Sequence, residues 1–503
     1  MVIPPIMLFP RRTLALLVFS GLVLSQLSLR SAEPITLDQA IQRALARNFS
    51  IKVQGFDASI AAARVTESLG KFDPVLSGSY NHSENRNPLL SFDPNTSLRN
   101  TTNDETDTYD VGIGGLMPWG LTYRLGGTTT NARGTFNAYA NNYDSFAGIS
   151  GTQPLLRDFG FGPTLASIRI ARTNRGISEW QFRQAVIDVV TRVTNTYHDL
   201  NFALAYLRSA TRSRDLAAGL LAENEKRFKI GNMSEYDVTS ARARVASRQE
   251  NVITAERQVH DTQNFLKQLI TDERTPALLD EPLTIEPPAP APIVVVDPVA
   301  DFRVALEKRP DYQQAKLSLQ RSDLNSRLQL NQTLPRVDLV GSYGSNGYDA
   351  SRAASRRQVQ DQDYRSYTWG VVVSVPLTFT TERGRYRAAK LSQRQSEAQL
   401  QQVEQAIVVA VGNAAGQIEA TQKRIQANRQ ARELAQATLD AEVKRLRVGQ
   451  SSTFFVASQQ ESLSIAEVRE AAALSDYAKA LAEYDRQLGV TLEKLHINID
   501  PPK

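Results

Sequence analysis

The 503-residue chain has no cysteine, which removes disulfide scaffolds, Cys-ligated zinc, iron–sulfur clusters, thiol catalysis and a thiol lipid anchor together. Its four histidines (His82, His198, His260, His496) never fall at i, i+4, so no helix face offers two imidazoles to a metal, and neither a metal nor any other cofactor is expected. Its 58 Lys and Arg against 53 Asp and Glu are too balanced for a nucleic-acid binder, and 41% hydrophobic residues suffice for a large core.

Residues 1–32 read as an export signal: Arg11 and Arg12, an apolar stretch over 14–24, then small and polar residues up to Ser31 and Ala32. A membrane-anchoring helix is the competing reading, but the apolar run is shorter than the ~20 residues that a span needs. No later apolar run is long enough either. Entry into a membrane would therefore require strands closed into a barrel, because lipid offers nothing to unpaired backbone groups.

The region 33–275 reads as helix, strands, very long helix, tight turn and returning helix. A first helix over 36–69 leads into strands at 75–80, 109–128 and 146–155, with a polar loop over 81–107. The hairpin 109–128, turning at Pro118-Trp119-Gly120, has two readings: it adds strands to a barrel wall, or it extends outside it. The helix 163–230 opens at Pro163, a residue suited to a first helical turn. Along it Val186, Val190, Val193, Tyr197, Leu200, Leu204 and Leu207 step by four and three, a coiled-coil seam. At 1.5 Å per residue it spans about 100 Å, against about 57 Å for the returning helix 234–271 and about 50 Å for 36–69. Two short helices end to end match one long one.

A Pro-rich stretch over 276–298 reads as an extended linker that cannot be helical. The plan then recurs over 299–491: helix, strands 336–343 and 366–377, long helix 383–447, returning helix 453–489, and a tail over 492–503. In the strand 366–377, Tyr367, Trp369, Val371, Val373, Val375 and Leu377 alternate with Thr368, Gly370, Val372, Ser374 and Pro376. One face suits lipid, with Tyr367 and Trp369 where an interfacial girdle would sit. A soluble sandwich strand is the alternative. In the second long helix Ile407, Val411, Ala414, Ile418, Thr421 and Ile425 repeat the seam.

Landmarks match between the two regions in the same order. Ala44-Leu45 and Pro74 correspond to Ala305-Leu306 and Pro335, Gly78-Ser79-Tyr80 to Gly341-Ser342-Tyr343, and Lys226-Arg227-Phe228-Lys229-Ile230-Gly231 to Lys444-Arg445-Leu446-Arg447-Val448-Gly449. Gly231 and Gly449 are expected to take the positive φ of tight helix-to-helix turns.

Arg227, Gly231 and Asp237-Val238 in this order resemble the periplasmic tip of TolC-like outer-membrane efflux proteins. So do the opening Ile35-Thr36-Leu37-Asp38-Gln39-Ala40, the strand entry Leu334-Pro335, the exit Gly151-Thr152-Gln153-Pro154-Leu155, and the internal repeat. The resemblance implies a mostly helical fold with membrane β-structure: a coiled-coil α-helical barrel joined to a transmembrane β-barrel of at least four strands per chain, closed as a homotrimer in the outer membrane of a Gram-negative cell. It implies a passive exit duct, not an enzyme, whose tip meets a periplasmic adaptor bound to an inner-membrane pump or secretion ATPase. The docking tip maps onto Arg227, Lys229, Ile230, Gly231 and Asn232 with Arg445, Arg447, Val448, Gly449 and Gln450. Asp237 falls where family members carry an aspartate ring at the aperture, and three such carboxylates around a narrow axis would repel anions and raise one another's pKa. Phe455 and Ser458 stand where further aspartates are expected, and Ser451 where an arginine link is. Phe454 or Phe455 is then expected to form an apolar constriction beside the Asp237 ring; a solvated-face role for Asp237 and a core role for the phenylalanines are the alternative readings.

A periplasmic adaptor would show one helical hairpin between soluble β-rich domains, and a hydrolase would need a convergent catalytic set; neither pattern is present. No Gly-x-x-x-x-Gly-Lys-Ser/Thr loop holds a nucleotide, so any transport energy comes from partners. The transported substrate is not written in the residues.

Overall fold

The computed structural model describes residues 34–89, 100–280 and 283–499; the expected export signal lies outside them. In chain order the elements are α1 (Leu37–Arg47), α2 (Phe49–Leu69), β1 (Val75–Leu89), β2 (Asn100–Leu116), β3 (Thr122–Gly134), β4 (Tyr143–Pro154), α3 (Phe161–Thr164), α4 (Ala166–Lys229), α5 (Glu235–Ile270) and α6 (Ala277–Asp280). Then follow α7 (Pro298–Lys308), α8 (Pro310–Gln332), β5 (Arg336–Asp349), α9 (Arg352–Asp361), β6 (Tyr364–Ser374), α10 (Thr380–Arg447), α11 (Thr453–Leu488) and α12 (Thr491–Lys494). None of the described helices is long and apolar enough to cross a membrane.

The two long helices are the rods of the molecule. With 64 residues α4 spans about 96 Å, and with 68 residues α10 spans about 102 Å. The expected seams are their buried faces. Val186, Val190, Val193, Tyr197 and Leu200 lie in one core cluster with Leu266 and Ile270 of α5 and Ile41 of α1, and Ile407, Val411 and Ile418 lie in another with Tyr477 and Tyr484 of α11.

Shorter helices stack end to end along each rod. At the junction of α5 with α2, Asn48 donates from Nδ2 to the Leu269 carbonyl at 2.9 Å while its Oδ1 caps α2 through the Ser50 amide, and Lys52 pairs with Asp272 at 2.9 Å. At the junction of α11 with α8, Arg309 donates to the Gln487 carbonyl at 3.1 Å. Gly489 turns the chain there with φ +74°, so close to the Lys308 backbone that a Cβ would meet its carbonyl carbon at 2.8 Å.

Asn48 also corrects the expectation of one helix over 36–69. Its extended conformation ends α1 and starts α2, and Arg309-Pro310 breaks α7 from α8 in the same way. The long helix likewise begins at Ala166, with Pro163 inside the separate single turn α3.

Over its described residues the linker is extended except for the one-turn α6, which the proline content did not foretell. It straps the helices to one another. Ile285 bridges to Ile35, and the buried Tyr197 hydroxyl donates to the carbonyls of Ile35 and Glu286 at 2.9 and 2.5 Å, burial pushing its phenol up to about 12. Further along, the Tyr477 hydroxyl donates to the Pro292 carbonyl at 2.6 Å, and Gln422 donates to the Val294 carbonyl at 3.0 Å.

The six strands of the described residues form one antiparallel sheet in sequence order, β1 to β6. Strand runs well past the expected boundaries. The polar loop expected over 81–107 is largely the outer halves of β1 and β2, paired from Asn81 with Thr108 through to Leu89 with Asn100. The loop between the last two strands contains α9. Polar side chains on both faces give no period-two contrast, so backbone pairing there left no trace in the hydropathy pattern.

Candidate functional site

At the tip the two helix-to-helix turns have the same construction. Gly231 takes φ +81° and Gly449 φ +76°. The Gly231 and Asn232 amides donate to the carbonyls of Phe228 and Arg227, both at 2.9 Å; those of Gly449 and Gln450 donate to Leu446 and Arg445 at 3.1 and 2.9 Å. Each is a Schellman closure, in which a left-handed glycine lets two successive amides satisfy the last carbonyls of the helix. The residue before each glycine is apolar yet projects into solvent, Ile230 at 70% and Val448 at 69% exposure. Lys226, Arg227 and Lys229 surround the first turn, and Lys444, Arg445 and Arg447 the second. Cations at helix C-termini complement the dipole; the paired exposed aliphatic residues are not explained by helix termination.

Asp237 is at the third position of α5, and its carboxylate accepts from the Ser234 amide at 3.3 Å and from the Ser234 hydroxyl at 2.5 Å, a reciprocal capping box. It is exposed just beyond the turn, so it has a local structural role whether or not it also lines an aperture. Phe454 and Phe455 open α11 with their rings edge to face, centroids 5.6 Å apart. They differ in surroundings. Arg244 of α5 lies 4.8 Å over the Phe454 ring, and Phe454 lines a cavity of about 230 Å³ between the two helical hairpins.

That inter-hairpin seam was not legible in the sequence, because its partners are hundreds of residues apart. Arg248 pairs with Glu461 at 2.8 Å, Arg212 with Glu467 at 3.3 Å and Lys479 with Asp199 at 2.8 Å, and Ser209 and Ser464 share a hydrogen bond of 3.0 Å. Burial in this seam pushes the His198 imidazole below its usual range. Burial also opposes the charge on Lys479, but its carboxylate partners Asp199 and Asp476 outweigh it and raise its pKa.

At the other end the register gives the sheet two chemically distinct faces. Leu76, Ile113, Leu125, Ile149, Tyr343 and Tyr367 pair directly across all six strands as one unbroken apolar row. The adjacent row on the opposite face is Ser77, Gly112, Gly126, Gly148, Gly344 and Ser366. Polar side chains fill this second face, including Arg124, which bonds to Asp110, and Thr128, which donates to Asp110 at 2.6 Å. Tyr367 and Trp369 stand on the apolar face at 76% exposure each, beside Val371 and Val373. Among the described residues no group of His, Asp and Glu could hold a metal ion.

Long coiled-coil rods joined to a sheet that is apolar on one face and polar on the other are the architecture of an outer-membrane channel protein. The model of the outer membrane efflux protein family matches residues 40–271 and 302–490, and the chain belongs to that family, whose members lie in the outer membrane of Gram-negative cells. Solved structures agree on the fold. The Campylobacter jejuni CmeC outer membrane channel aligns with a TM-score of 0.66 at 15% identity, over 90% of this chain and 86% of that one. The Vibrio cholerae outer membrane protein VceC aligns at 0.65 and 16%, over 90% and 96%. The open state of the Neisseria gonorrhoeae MtrE outer membrane channel aligns at 0.63 and 18%, over 91% and 89%. No curated protein sequence matches the chain.

Proposed function

We propose that three copies of this chain close into one passive exit duct, with no enzymatic activity, that carries solutes or proteins from a periplasmic partner to the cell exterior. The observation that carries this reading is the six-stranded sheet, apolar on one face and polar on the other, with β1 and β6 at its ends. In lipid an open sheet edge leaves backbone donors and acceptors unsatisfied, so β6 of one copy must pair with β1 of the next. Three six-stranded sheets make an eighteen-stranded barrel, in the size range that leaves an aqueous channel. The β2–β3 hairpin then belongs to the wall, because Ile113 and Leu125 continue the apolar row and Asp110 and Arg124 the polar face.

Below the barrel, α4 and α10 with their stacked partners form a helical tunnel, each chain contributing two copies of one structural plan. The tips at Ile230 and Val448, flanked by Arg227, Lys229, Asn232, Arg445, Arg447 and Gln450, dock a periplasmic adaptor that belongs to a tripartite pump or a type I secretion system. An inner-membrane pump or secretion ATPase joined through that adaptor supplies the energy. Asp237 and Phe455 form the aperture, and Phe454, held by Arg244, braces the hairpins beside it.

The cysteine-free chain gives a clean test. Asn232→Cys and Gln450→Cys, reacted with a bifunctional thiol crosslinker in intact cells, should capture a periplasmic adaptor from both tips. Capture from an exposed α5 position such as Arg257→Cys and not from the tips would refute tip docking.

A further inference from the structure

The short helix α9 lies on the apolar face of the sheet, away from the helical rods. Ser355 donates to the Gly347 carbonyl at 2.8 Å, and a Cβ on Gly347 would meet the Ser355 carbonyl oxygen at 2.0 Å, so only glycine permits the approach. Gln358 accepts from the Tyr348 amide at 2.8 Å. Beneath α9 the sheet face changes character: Ser345, Gly347, Ser145 and Thr129 are small or polar and buried. These positions lie two to four residues, roughly 7–13 Å, beyond the apolar row of Tyr343 and Ile149. The helix therefore sits just outside the greasy band, at the level where lipid headgroups begin.

Its charges are arranged against its own dipole. Arg352 opens the helix, Arg356 and Arg357 follow, and Asp361 closes it, the reverse of what a macrodipole favours. Among the described residues Arg352, Arg356, Arg357 and the nearby Arg365 make no ion pair; Arg352 lies 4.5 Å over the Tyr109 ring, its Nε buried without a hydrogen-bond partner. Arg352 and Arg356 border a hollow of about 760 Å³ whose floor includes Tyr80, Tyr109, Val111 and Ala147. Unpaired guanidinium groups above an apolar floor suit a ligand with a phosphate at one end and a hydrocarbon chain at the other.

We propose that this hollow binds a phosphorylated lipid of the surrounding outer leaflet. Its phosphate sits on Arg352 and Arg356 with Arg357 nearby, and its acyl chain runs down past Val111 and Ala147. The proposal rests on the reading of this face as the lipid-exposed side of a trimeric barrel.

Native mass spectrometry of the protein in detergent micelles, titrated with diphosphoryl lipid A or with phosphatidylcholine, tests it. The wild type should retain lipid A in preference to phosphatidylcholine. R352Q/R356Q/R357Q should weaken lipid A binding about tenfold or more, R352K/R356K/R357K should keep most of it, and Arg257→Gln on α5 should change nothing. Millimolar inorganic pyrophosphate should fail to displace the lipid. Equal lipid A retention by the glutamine variant, no preference over phosphatidylcholine, or full displacement by pyrophosphate would overturn the lipid site. The same spectra report assembly: a trimer without arginine dependence sinks only the site, whereas a monomer needing no detergent sinks the barrel on which it rests.

Discussion

Gly231 and Gly449 let the chain reverse between helices because each adopts a positive φ. A glycine after a basic helical turn predicts a left-handed closure, and both glycines take it with the same pair of amide-to-carbonyl bonds. Asp237 is different, because its carboxylate caps α5 through Ser234, and truncating it would disturb the helix start together with any charge at the aperture. Asp237→Asn keeps an acceptor for the cap and removes the charge. In planar bilayers it should lower cation preference roughly twofold or more and relieve block by divalent ions, as expected for a ring of carboxylates. Unchanged ion preference would leave Asp237 as a capping residue alone. The different surroundings of Phe454 and Phe455 were illegible in the sequence, since adjacent phenylalanines carry the same local signal. They emerge only because Arg244, on another hairpin, lies over one ring.

At the scale of elements, the rods were the legible part. Their seams repeat at three and four residues and are buried as that spacing requires. The breaks were less visible. Asn48 ends one helix by capping the next, and Arg309-Pro310 divides its counterpart. The upper strands were hidden too: from Asn81 with Thr108 to Asn87 with Thr102 the paired residues are polar, so the backbone ladder that holds them has no hydropathy signature. The end-to-end stacking of helices predicts where the rods are vulnerable. Gly489→Ala puts a Cβ at positive φ against the Lys308 backbone, where the left-handed conformation alone costs about 1–2 kcal/mol. It should lower the thermal unfolding midpoint, while Gly219→Ala, an open helical position on α4, should leave it unchanged or raise it slightly. Equal stability of the two variants would show that the α11–α8 junction yields to absorb the side chain.

For the whole molecule, the governing observation is that among the described residues the sheet ends at β1 and β6, which do not pair with each other. The alternation over 366–377 was visible in the sequence and the role of the hairpin 109–128 was open; the register joins β2 and β3 to the same sheet, where the apolar row continues from Leu76 through Ile113 and Leu125 to Ile149 without a gap. No single-strand pattern contains that alignment, which exists only between strands. Six strands per chain would build a wider barrel than the four per chain that the family resemblance sets as a minimum. Electron cryo-microscopy of the protein in lipid nanodiscs tests this most directly. The expected map shows three chains around one axis, an eighteen-stranded wall with β6 of each copy hydrogen-bonded to β1 of the next, and a helical tunnel below. A single chain outside the bilayer, or a trimer whose wall excludes β2 and β3, would contradict that arrangement.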